Sequence, residues 1–392
     1  MRLLVLTMFF FGCSYTEEES DEPKDNGPED TGEAPGIGAL GNETHDVSNI
    51  TVTVVGTASD GLNLPRDLAF NPDVEDELWV VNRADDSATI YTDVGGEDQE
   101  STHIIDPFAY HFMEEVSSIA FGVAVFSGSD LPNFGTCQES VNTYNGMSEP
   151  NNFMGPSLWS SDPEIFGESN PEAVEFLTDY FGMYVDLGSH LDMLHQSPLC
   201  MGMAWERDNV YWVFNGQEGS IDRNDFQEDH GPGFDDHNDG IIGRYARGEF
   251  ARVADVPSHM EFDPNTGFLY IADTGNNAIK VLDTTSGERG LSLPGDEPLV
   301  DYYLVDEAVV WTLIEGDDHD MEMPSGLAIV EDHLLVTDYA SGKILAFDLE
   351  GELVDWVDTE VGDDALMGIV ARSLDDIWVV DSRNEEILRI QP

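Results

Sequence analysis

Histidines and carboxylates are concentrated in a few polar segments and form the set of residues best suited to chemistry. The predicted metal ligands are His190, Asp192, His195, His230, Asp235, His237, Asp239 and His259. Neutral imidazoles and carboxylates bind transition metals, and carboxylate-rich sets bind Ca²⁺. The expected cofactor is therefore a divalent metal: Zn, Mn, Fe or Ca. For each histidine taken alone, the alternative is an ordinary hydrogen-bonded loop residue.

The spacing of these residues limits the kind of site. Asp235, His237 and Asp239 alternate before a glycine, which is similar to the start of a calcium-binding loop. The twelfth position of that loop would be Ala246, which offers no oxygen ligand, so an EF-hand is not supported. The sequence contains no HExxH helix, no GxSxG elbow and no Walker-type loop. Serine hydrolase and nucleotide chemistry therefore have no support.

A repeated three-strand unit must position these side chains. In its clearest copy, residues 260–263, 268–272 and 278–283 are predicted strands, separated by turns rich in Gly, Asn and Asp. Five further copies begin near residues 65, 116, 200, 324 and 366. A unit that cannot bury its own faces and recurs in this way predicts radial stacking of small sheets. We therefore predict an all-β fold, a six-bladed β-propeller.

The two ends of the repeat array predict how the ring closes. The last copy stops after its third strand, and residues 50–56 form a lone alternating strand. This strand should complete the last blade and remove an exposed edge. In the degenerate copy near residue 116, residues 116–121 and 123–126 are the predicted first two strands.

The repeats resemble the NHL-repeat family of β-propellers over roughly residues 50–392. The resemblance lies in first strands such as residues 65–70 (PRDLAF) and hairpins such as residues 269–283 (LYIADTGNNAIKVLD). It implies the six-bladed fold and leaves the activity open, since this fold has many functions.

Two enzyme classes with similar propellers do not match in their ligand positions. Peptidyl-hydroxyglycine amidating lyases bind zinc through three histidines at the starts of inner strands. The corresponding positions here are Arg66, Ser117, Met201, Ser258, Ser325 and Met367. Gluconolactonase-like propellers hold a central cation through Glu, Asn and Asp, and only Asp67 could serve as such an acidic ligand. The histidine set of the lyases is absent, and the acidic ligand of the second class cannot be placed at any other inner-strand start.

Two insertions, near residues 127–156 and 215–240, are the expected location of function. We interpret residues 241–245 as the third strand of their blade, so both insertions would enlarge the loop between the second and third strands. Such loops open on the same face as the links between blades. The histidine-rich segments, including that of His319, should therefore gather around one mouth of the channel.

Two functions remain open from the sequence. In the first, the propeller binds a protein, a peptide or a polysaccharide on this insertion-covered channel face. The alternative is a metal-dependent lyase or hydrolase acting at the channel mouth. The candidate catalytic residues are Arg66, His195 and His259, as acid/base or anion-orienting groups.

The charge of the chain excludes one class of partner. It contains 80 acidic and 15 basic residues, for a formal net charge of −65. Phosphate backbones would repel such a chain, so we expect no nucleic-acid binding. The acidic excess is spread along the whole chain and fits a hydrated monomer in a saline habitat. Cation binding by some carboxylates is the alternative explanation.

The N-terminal residues indicate export. Residues 1–13 resemble a signal peptide with a lipoprotein processing site, because an apolar run ends at Gly12 before Cys13. Cys13 is the predicted lipidation site, and a plain cleaved signal is the alternative. Residues 14–47 are acidic and rich in small residues, which predicts a disordered tether before a propeller at 48–392. We expect a location in the bacterial cell envelope, with membrane contact only through the lipid anchor.

The other two cysteines support the same location. Cys137 and Cys200 form an even pair that could join in an oxidising compartment. The alternative is two free thiols.

Overall fold

Short antiparallel strands make up most of the computed structural model, which describes residues 36–141, 153–295 and 297–392. The first strand is β1 (Thr51–Gly56). Blade one contains β2 (Pro65–Phe70), β3 (Leu78–Asn82), β4 (Ser87–Thr92) and β5 (Glu100–Ile105). Blade two contains β6 (Val116–Phe121), β7 (Asn133–Gln138), β8 (Ser157–Ser160) and β9 (Asp192–Met193). Blade three contains β10 (Cys200–Arg207), β11 (Val210–Asn215), β12 (Ser220–Asp225) and β13 (Ile241–Tyr245).

The second half of the chain forms three more blades. Blade four contains β14 (Met260–Asp263), β15 (Phe268–Asp273) and β16 (Ala278–Asp283). The chain then forms a hairpin, β17 (Glu288–Ser292) and β18 (Asp301–Asp306), and returns to blade four as β19 (Val309–Glu315). Blade five contains β20 (Pro324–Val330), β21 (His333–Asp338), β22 (Lys343–Asp348) and β23 (Leu353–Asp358). Blade six contains β24 (Leu366–Ser373), β25 (Asp376–Asp381) and β26 (Glu386–Gln391), joined by β1.

The predicted six-bladed propeller is confirmed. The first strand of each blade contacts the first strand of the next, and β24 contacts β2 to close the ring. We call these six strands, β2, β6, β10, β14, β20 and β24, the inner strands. Closure also follows the prediction, because β1 pairs antiparallel with β26, from Thr51 opposite Gln391 to Gly56 opposite Ile387.

The propeller begins earlier than predicted. Residues 36–47 were expected to belong to the tether, but Ile37, Ala39 and Leu40 are buried among the residues of blades five and six. The Ile37 N–H donates a hydrogen bond to Asp355 Oδ2 at 2.9 Å. These apolar residues cover the outer part of the core between blades five and six. The compact unit that contains the propeller therefore starts at Gly36. Residues 14–35 of the predicted tether lie outside the described residues.

Two strand predictions were wrong. In blade two the second strand is β7, and residues 123–126 form a loop in which Val123 and Val125 are exposed. In blade three, β12 pairs with β11, so β13 is the fourth strand and not the third. The histidine-bearing part of the second insertion, residues 226–240, therefore joins the third strand to the fourth.

Blade three is also wider than the others. The β17–β18 hairpin extends it to six strands, since β18 pairs in parallel with β13 along Ile241–Tyr245. This hairpin comes from the connection between the third and fourth strands of blade four, so it links the two blades at their outer edges.

Few helices interrupt the strands. The α-helices of the described residues are α1 (Ala109–Phe112), between blades one and two, and α2 (Pro171–Phe181), between β8 and β9. Asn170 caps α2 by accepting a hydrogen bond from Glu172 N at 3.1 Å, and Gly182 ends it with a φ of 71°. Short 3₁₀ turns occur at Gly38–Leu40, Val47–Asn49, Ala58–Asp60, Thr274–Asn276 and Gly316–His319. Within the described ranges, the helices are too short to cross a bilayer.

The predicted disulfide is confirmed. Cys137 on β7 is bonded to Cys200 on the inner strand of blade three, with their Cα atoms 5.4 Å apart. Cys137 lies within a strand and not in the first insertion, so the bond joins two neighbouring blades directly. Ser117 Oγ contacts the carbonyl oxygens of both cysteines, at 3.0 Å and 2.8 Å.

Candidate metal centre and central cavity

Three of the predicted metal ligands meet at the outer edge of blade two. One nitrogen each of His190, His230 and His237 lies within 4.8 Å of the other two. The ring centroids of His190 and His230 are 4.8 Å apart, and those of His230 and His237 are 5.0 Å apart. His190 and His237 are buried, and His230 is half-buried. This distance is short enough for three nitrogens to share one cation, given metal–nitrogen bonds of about 2 Å.

Backbone carbonyls fix the tautomers of two of these histidines. His190 Nδ1 lies 3.0 Å from the Leu187 carbonyl oxygen, and His230 Nδ1 lies 2.8 Å from the Gly231 carbonyl oxygen. A carbonyl only accepts, so each Nδ1 carries the proton and each Nε2 keeps a lone pair. Both Nε2 atoms are buried and have no hydrogen-bond partner among the described residues. Burial, together with His237, lowers the pKa of His230 to about 3, and burial also holds the pKa of His190 well below its usual value.

The third histidine lies between two carboxylates. His237 Nδ1 is 3.0 Å from Asp192 Oδ1, and His237 Nε2 is 3.0 Å from Asp235 Oδ1. Burial by itself would lower the pKa of His237, but the two carboxylates outweigh it and raise that pKa to about 10. The other Asp192 oxygen, Oδ2, is buried without a partner in the described part of the chain. The cluster therefore contains two neutral imidazoles, an imidazole–carboxylate network and an unused carboxylate oxygen.

The position of this cluster corrects the sequence interpretation. His230 N donates to the Leu191 carbonyl at 3.1 Å, and Gly233 N donates to the His190 carbonyl at 2.9 Å. The segment after β12 therefore runs along the chain that leads into β9, the outer strand of its blade. The three histidines meet on the rim of the propeller and not at the channel mouth, because the enlarged loop follows the third strand and not the second.

The remaining predicted ligands are dispersed. His195 Nδ1 is 3.3 Å from Glu297 Oε1, and its ring centroid is 5.7 Å from that of His237, next to the cluster but outside it. Asp239 Oδ2 accepts a hydrogen bond from Glu228 N and lines a surface cavity of about 440 Å³ beside His230. His319 lies at the end of the 3₁₀ turn before blade five.

His259 belongs to a different site, the central channel. Its Nε2 lies 3.5 Å from Asp67 Oδ2 and 3.2 Å from the Ser117 carbonyl oxygen. Asp67 Oδ2 also accepts hydrogen bonds from Ser118 Oγ at 2.9 Å and Ile119 N at 3.0 Å. His259 is therefore held among inner-strand groups and does not join the cluster on the rim.

The channel contains a cavity of about 380 Å³ that the inner strands enclose. Its lining includes Asp67 and His259 and continues to the last residues of several inner strands. Six residues that lie one or two positions nearer the strand starts are buried and do not line it: Arg66, Ser117, Met201, Ser258, Ser325 and Met367. The cavity is thus closed where the inner strands begin and opens where they end. This is opposite to the predicted binding face.

Glu261 is a cavity residue that the sequence interpretation missed. It lies on β14, and its half-buried side chain lines the cavity. Loss of solvation, together with the Asp67 carboxylate, raises the pKa of Glu261 from 4.5 to about 8. The available signal was a single acidic residue between apolar neighbours on an inner strand.

Arg66, a predicted catalytic candidate, lies behind the cavity floor. Its Nη1 donates to Ser382 Oγ at 2.9 Å and contacts Met367 Sδ at 3.1 Å. Burial and the nearby Arg83 lower the pKa of Arg66 to about 10. Arg66 therefore contributes to the packing between blades one and six and does not face the cavity.

The fold and the two sites define a six-bladed β-propeller with an imidazole-rich cluster on its rim and a closed-ended acidic cavity on its axis. No family profile matches the sequence, and no curated protein matches it. Many solved structures are similar in fold, and three of them show the extent of the likeness. An auxiliary nutrient binding protein from Bacteroides ovatus is 11% identical, with 88% of this chain and 76% of that chain covered and a TM-score of 0.50.

A luciferin-regenerating enzyme is 11% identical, with 88% and 95% of the two chains covered and a TM-score of 0.51. A putative phosphatase from Bacteroides thetaiotaomicron is 11% identical, with 87% and 78% covered and a TM-score of 0.52. At this identity the likeness concerns the fold alone. It agrees with the NHL-type propeller that the repeats predicted.

Proposed function

We propose that this protein is an exported binding propeller that holds a divalent transition metal between His190, His230 and His237. The observation that carries the proposal is the pair of buried Nε2 lone pairs on His190 and His230. Leaving a buried polar atom without a partner costs free energy, and a cation that accepts both lone pairs would recover it. Metal-binding histidines commonly donate their other N–H to a carbonyl or carboxylate, as both of these do.

The donor set favours some metals over others. Imidazole nitrogens suit Zn²⁺, Cu²⁺, Fe²⁺ and Ni²⁺, whereas Ca²⁺ takes six to eight oxygens. His237, whose two ring nitrogens face Asp192 and Asp235, would give up one ring proton to become the third nitrogen ligand, which leaves the fourth position open. We therefore propose Zn²⁺ or a similar transition metal, and not Ca²⁺, at this centre.

The metal would organise a binding surface. It would tie residues 230–237, which follow β12, to the residues before β9 at the edge of blade two. The cavity beside His230 is lined by Asp229, Asp236 and Asp239, so a ligand could approach the metal from solvent. One propeller of similar fold bears the name of a nutrient binding protein. We propose a protein, a peptide or a polysaccharide as the ligand and a monomer as the binding unit.

The test is metal content and metal-dependent stability in protein purified without a histidine tag. We expect one tightly held transition metal per chain by elemental analysis. Chelation should lower the melting temperature and Zn²⁺ should restore it, since a ligand at a hundredfold excess over its Kd stabilises by about 2.7 kcal/mol. His230→Ala should abolish both the metal and the response. His333→Ala, on β21 of blade five, is the matched control and should retain them.

Two outcomes would refute the proposal. One is a chain that contains no transition metal after growth in zinc-supplemented medium and shows no thermal response to Zn²⁺. The other is metal binding that survives in His230→Ala.

A second candidate function, a metal-dependent lyase or hydrolase, is favoured by the number of imidazole donors. Three protein ligands with one open position are typical of catalytic zinc sites. His195, paired with Glu297 beside the cluster, would be the acid/base candidate. Arg66 and His259 are bonded to inner-strand groups and would not act at this centre. Turnover of ester, lactone or lyase substrates by the zinc-loaded protein, absent in His230→Ala, would favour this function over simple binding.

The same proposal includes export and lipid anchoring through Cys13, with the alternative of a plain cleaved signal. The Cys137–Cys200 disulfide supports it, because disulfides persist in oxidising compartments such as the periplasm. Cys13 itself lies outside the described residues.

A further inference from the structure

The axial cavity is chemically different from the cluster on the rim, and no feature of the metal proposal uses it. Its wall contains the carboxylates of Asp67, Glu206 and Glu261, and its described lining contains neither Lys nor Arg. Glu206 already pairs with Arg223, at 2.6 Å. Asp67 and Glu261 are therefore the two acidic groups that a ligand would meet inside.

These two carboxylates differ in how they are satisfied. Asp67 Oδ1 accepts from Leu68 N at 2.8 Å, and Asp67 Oδ2 accepts from Ser118 Oγ and Ile119 N. No donor among the described residues reaches the Glu261 carboxylate, although it lies in a partly desolvated cavity next to a second acid. A carboxylate in such surroundings is costly unless a positive group accompanies it.

The rest of the wall is apolar and aromatic. Phe70, Phe121, Trp205 and Phe262 lie at or near the ends of four different inner strands, and all four are half-buried and line the cavity. Aromatic faces attract cations, most strongly where water is partly excluded. The rings come from four neighbouring blades and line one side of the entrance. One face of Phe70 is already covered by the Arg372 guanidinium, 4.1 Å from its ring centroid, so the other three rings are the ones available to a ligand.

We propose that this cavity binds an organic cation, an amine or quaternary ammonium group with an apolar substituent. The charged group would lie against Glu261, with Asp67 behind it, and the substituent would contact the aromatic rings at the entrance. This site is independent of the metal on the rim, since it involves inner strands and not the edge of blade two.

The coordination chemistry argues against a metal ion in this cavity. Ca²⁺ needs six to eight oxygen ligands, and Mg²⁺ needs a near-octahedral set. The Asp67 oxygens already accept three hydrogen bonds, which leaves Glu261 as the main free donor. The four aromatic side chains offer no oxygen at all.

The test is calorimetric titration of the full chain with benzyltrimethylammonium at about pH 9, above the pKa of Glu261, so that its carboxylate is ionised. The neutral and anionic comparators are benzyl alcohol and phenylacetate, and Ca²⁺ is titrated separately. We expect saturable binding of the cation, at least about tenfold tighter than that of benzyl alcohol, because the alcohol lacks the charge that contacts Glu261. We expect no binding of phenylacetate, because its carboxylate would be repelled by Glu261.

Two variants assign the binding to this cavity. Glu261→Gln should weaken cation binding at least about tenfold, because it removes the charge and keeps the shape. Glu175→Gln, on an exposed position of α2, is the matched control and should change nothing. Phe262→Leu should weaken the cation more than benzyl alcohol, which a purely structural role would not do. Circular dichroism confirms that each variant is folded.

Several results would overturn the proposal. They are equal affinity for the cation and the alcohol, unchanged cation binding in Glu261→Gln, Ca²⁺ binding that depends on Glu261, or no binding of the cation at millimolar concentration. If His230→Ala loses the metal and still binds the cation, the two sites are independent of each other.

Discussion

His259 Nε2 on blade four lies 3.5 Å from Asp67 Oδ2 on blade one, across the axis of the ring. The inner strands contact one another in sequence around the ring, so these two blades face each other. The imidazole also lies 3.2 Å from the Ser117 carbonyl oxygen of blade two. This contact bridges the axis near the end of the channel where the inner strands begin.

The free energy of unfolding should depend on pH through the carboxyl group of Glu261, which lines the axial cavity. The folded pKa of Glu261, about 8, lies above its usual 4.5. Such a group contributes its full stability below pH 4.5 and loses it as the pH rises through 8, because the unfolded chain ionises more readily. The free energy of unfolding of Glu261→Gln should therefore rise relative to that of the wild type as the pH goes from acid to alkaline. Each pKa unit corresponds to about 1.4 kcal/mol, and because solvent screens a half-buried group we expect a total of about 2 kcal/mol. Urea unfolding at both pH values measures this difference. A constant difference across the pH range, matching that of Glu175→Gln, would contradict it.

The disulfide should contribute measurably to stability. It spans 63 residues of sequence, and the chain-entropy model gives roughly 4 kcal/mol for a loop of that size. We expect the Cys137→Ala/Cys200→Ala double variant to lose about 2 to 4 kcal/mol in denaturant unfolding. A reducing agent should destabilise the wild type and leave the double variant unchanged. An identical response of both proteins would show that the bond does not form in solution.

Removing β1 should expose an edge and weaken blade six. A chain that starts at residue 57 loses the strand paired with β26 and the buried side chains Ile37 and Leu40. Burial of those two side chains alone accounts for roughly 3 kcal/mol or more, and a free strand edge promotes association. We expect a lower melting temperature and higher-order species by size-exclusion chromatography. A chain that starts at Gly36 is the reference, and equal behaviour of the two chains would refute the prediction.

Lipid anchoring is tested at Cys13. We expect the mature wild type to partition into detergent and to begin at an acylated Cys13, whereas Cys13→Ala should remain in the aqueous phase. Mass spectrometry of the N-terminal peptide identifies the modification. An aqueous wild type with a different N-terminus would leave the plain cleaved signal as the correct interpretation.

The sequence predicted those strands that are apolar, but it did not predict β12, a strand with buried polar side chains. On β12, Asp222 and Asn224 are buried, and Asp222 pairs with Arg244 of β13 at 2.7 Å. A buried ion pair replaces the apolar alternation that marks a strand, so residues 220–225 resembled part of a loop. That error also placed the histidines on the wrong part of the propeller.

The residues of the metal cluster could be named from the sequence, but their partners could not. His190, His230 and His237 were singled out by residue type and by their occurrence in insertions. Which of them meet depends on backbone pairing between residues 190–191 and 230–233, to which no repeat corresponds. His259 was wrongly grouped with them, because its position at an inner strand places it on the axis.

The pairing of Thr51 with Gln391 sets the order in which the molecule can be completed. Contacts between such distant parts of a chain form late and slow folding. Blade six cannot acquire its outer strand until almost the whole chain has been synthesised, so the emerging chain keeps an open ring. The seam between the two ends of the chain is therefore the last part of the ring to close.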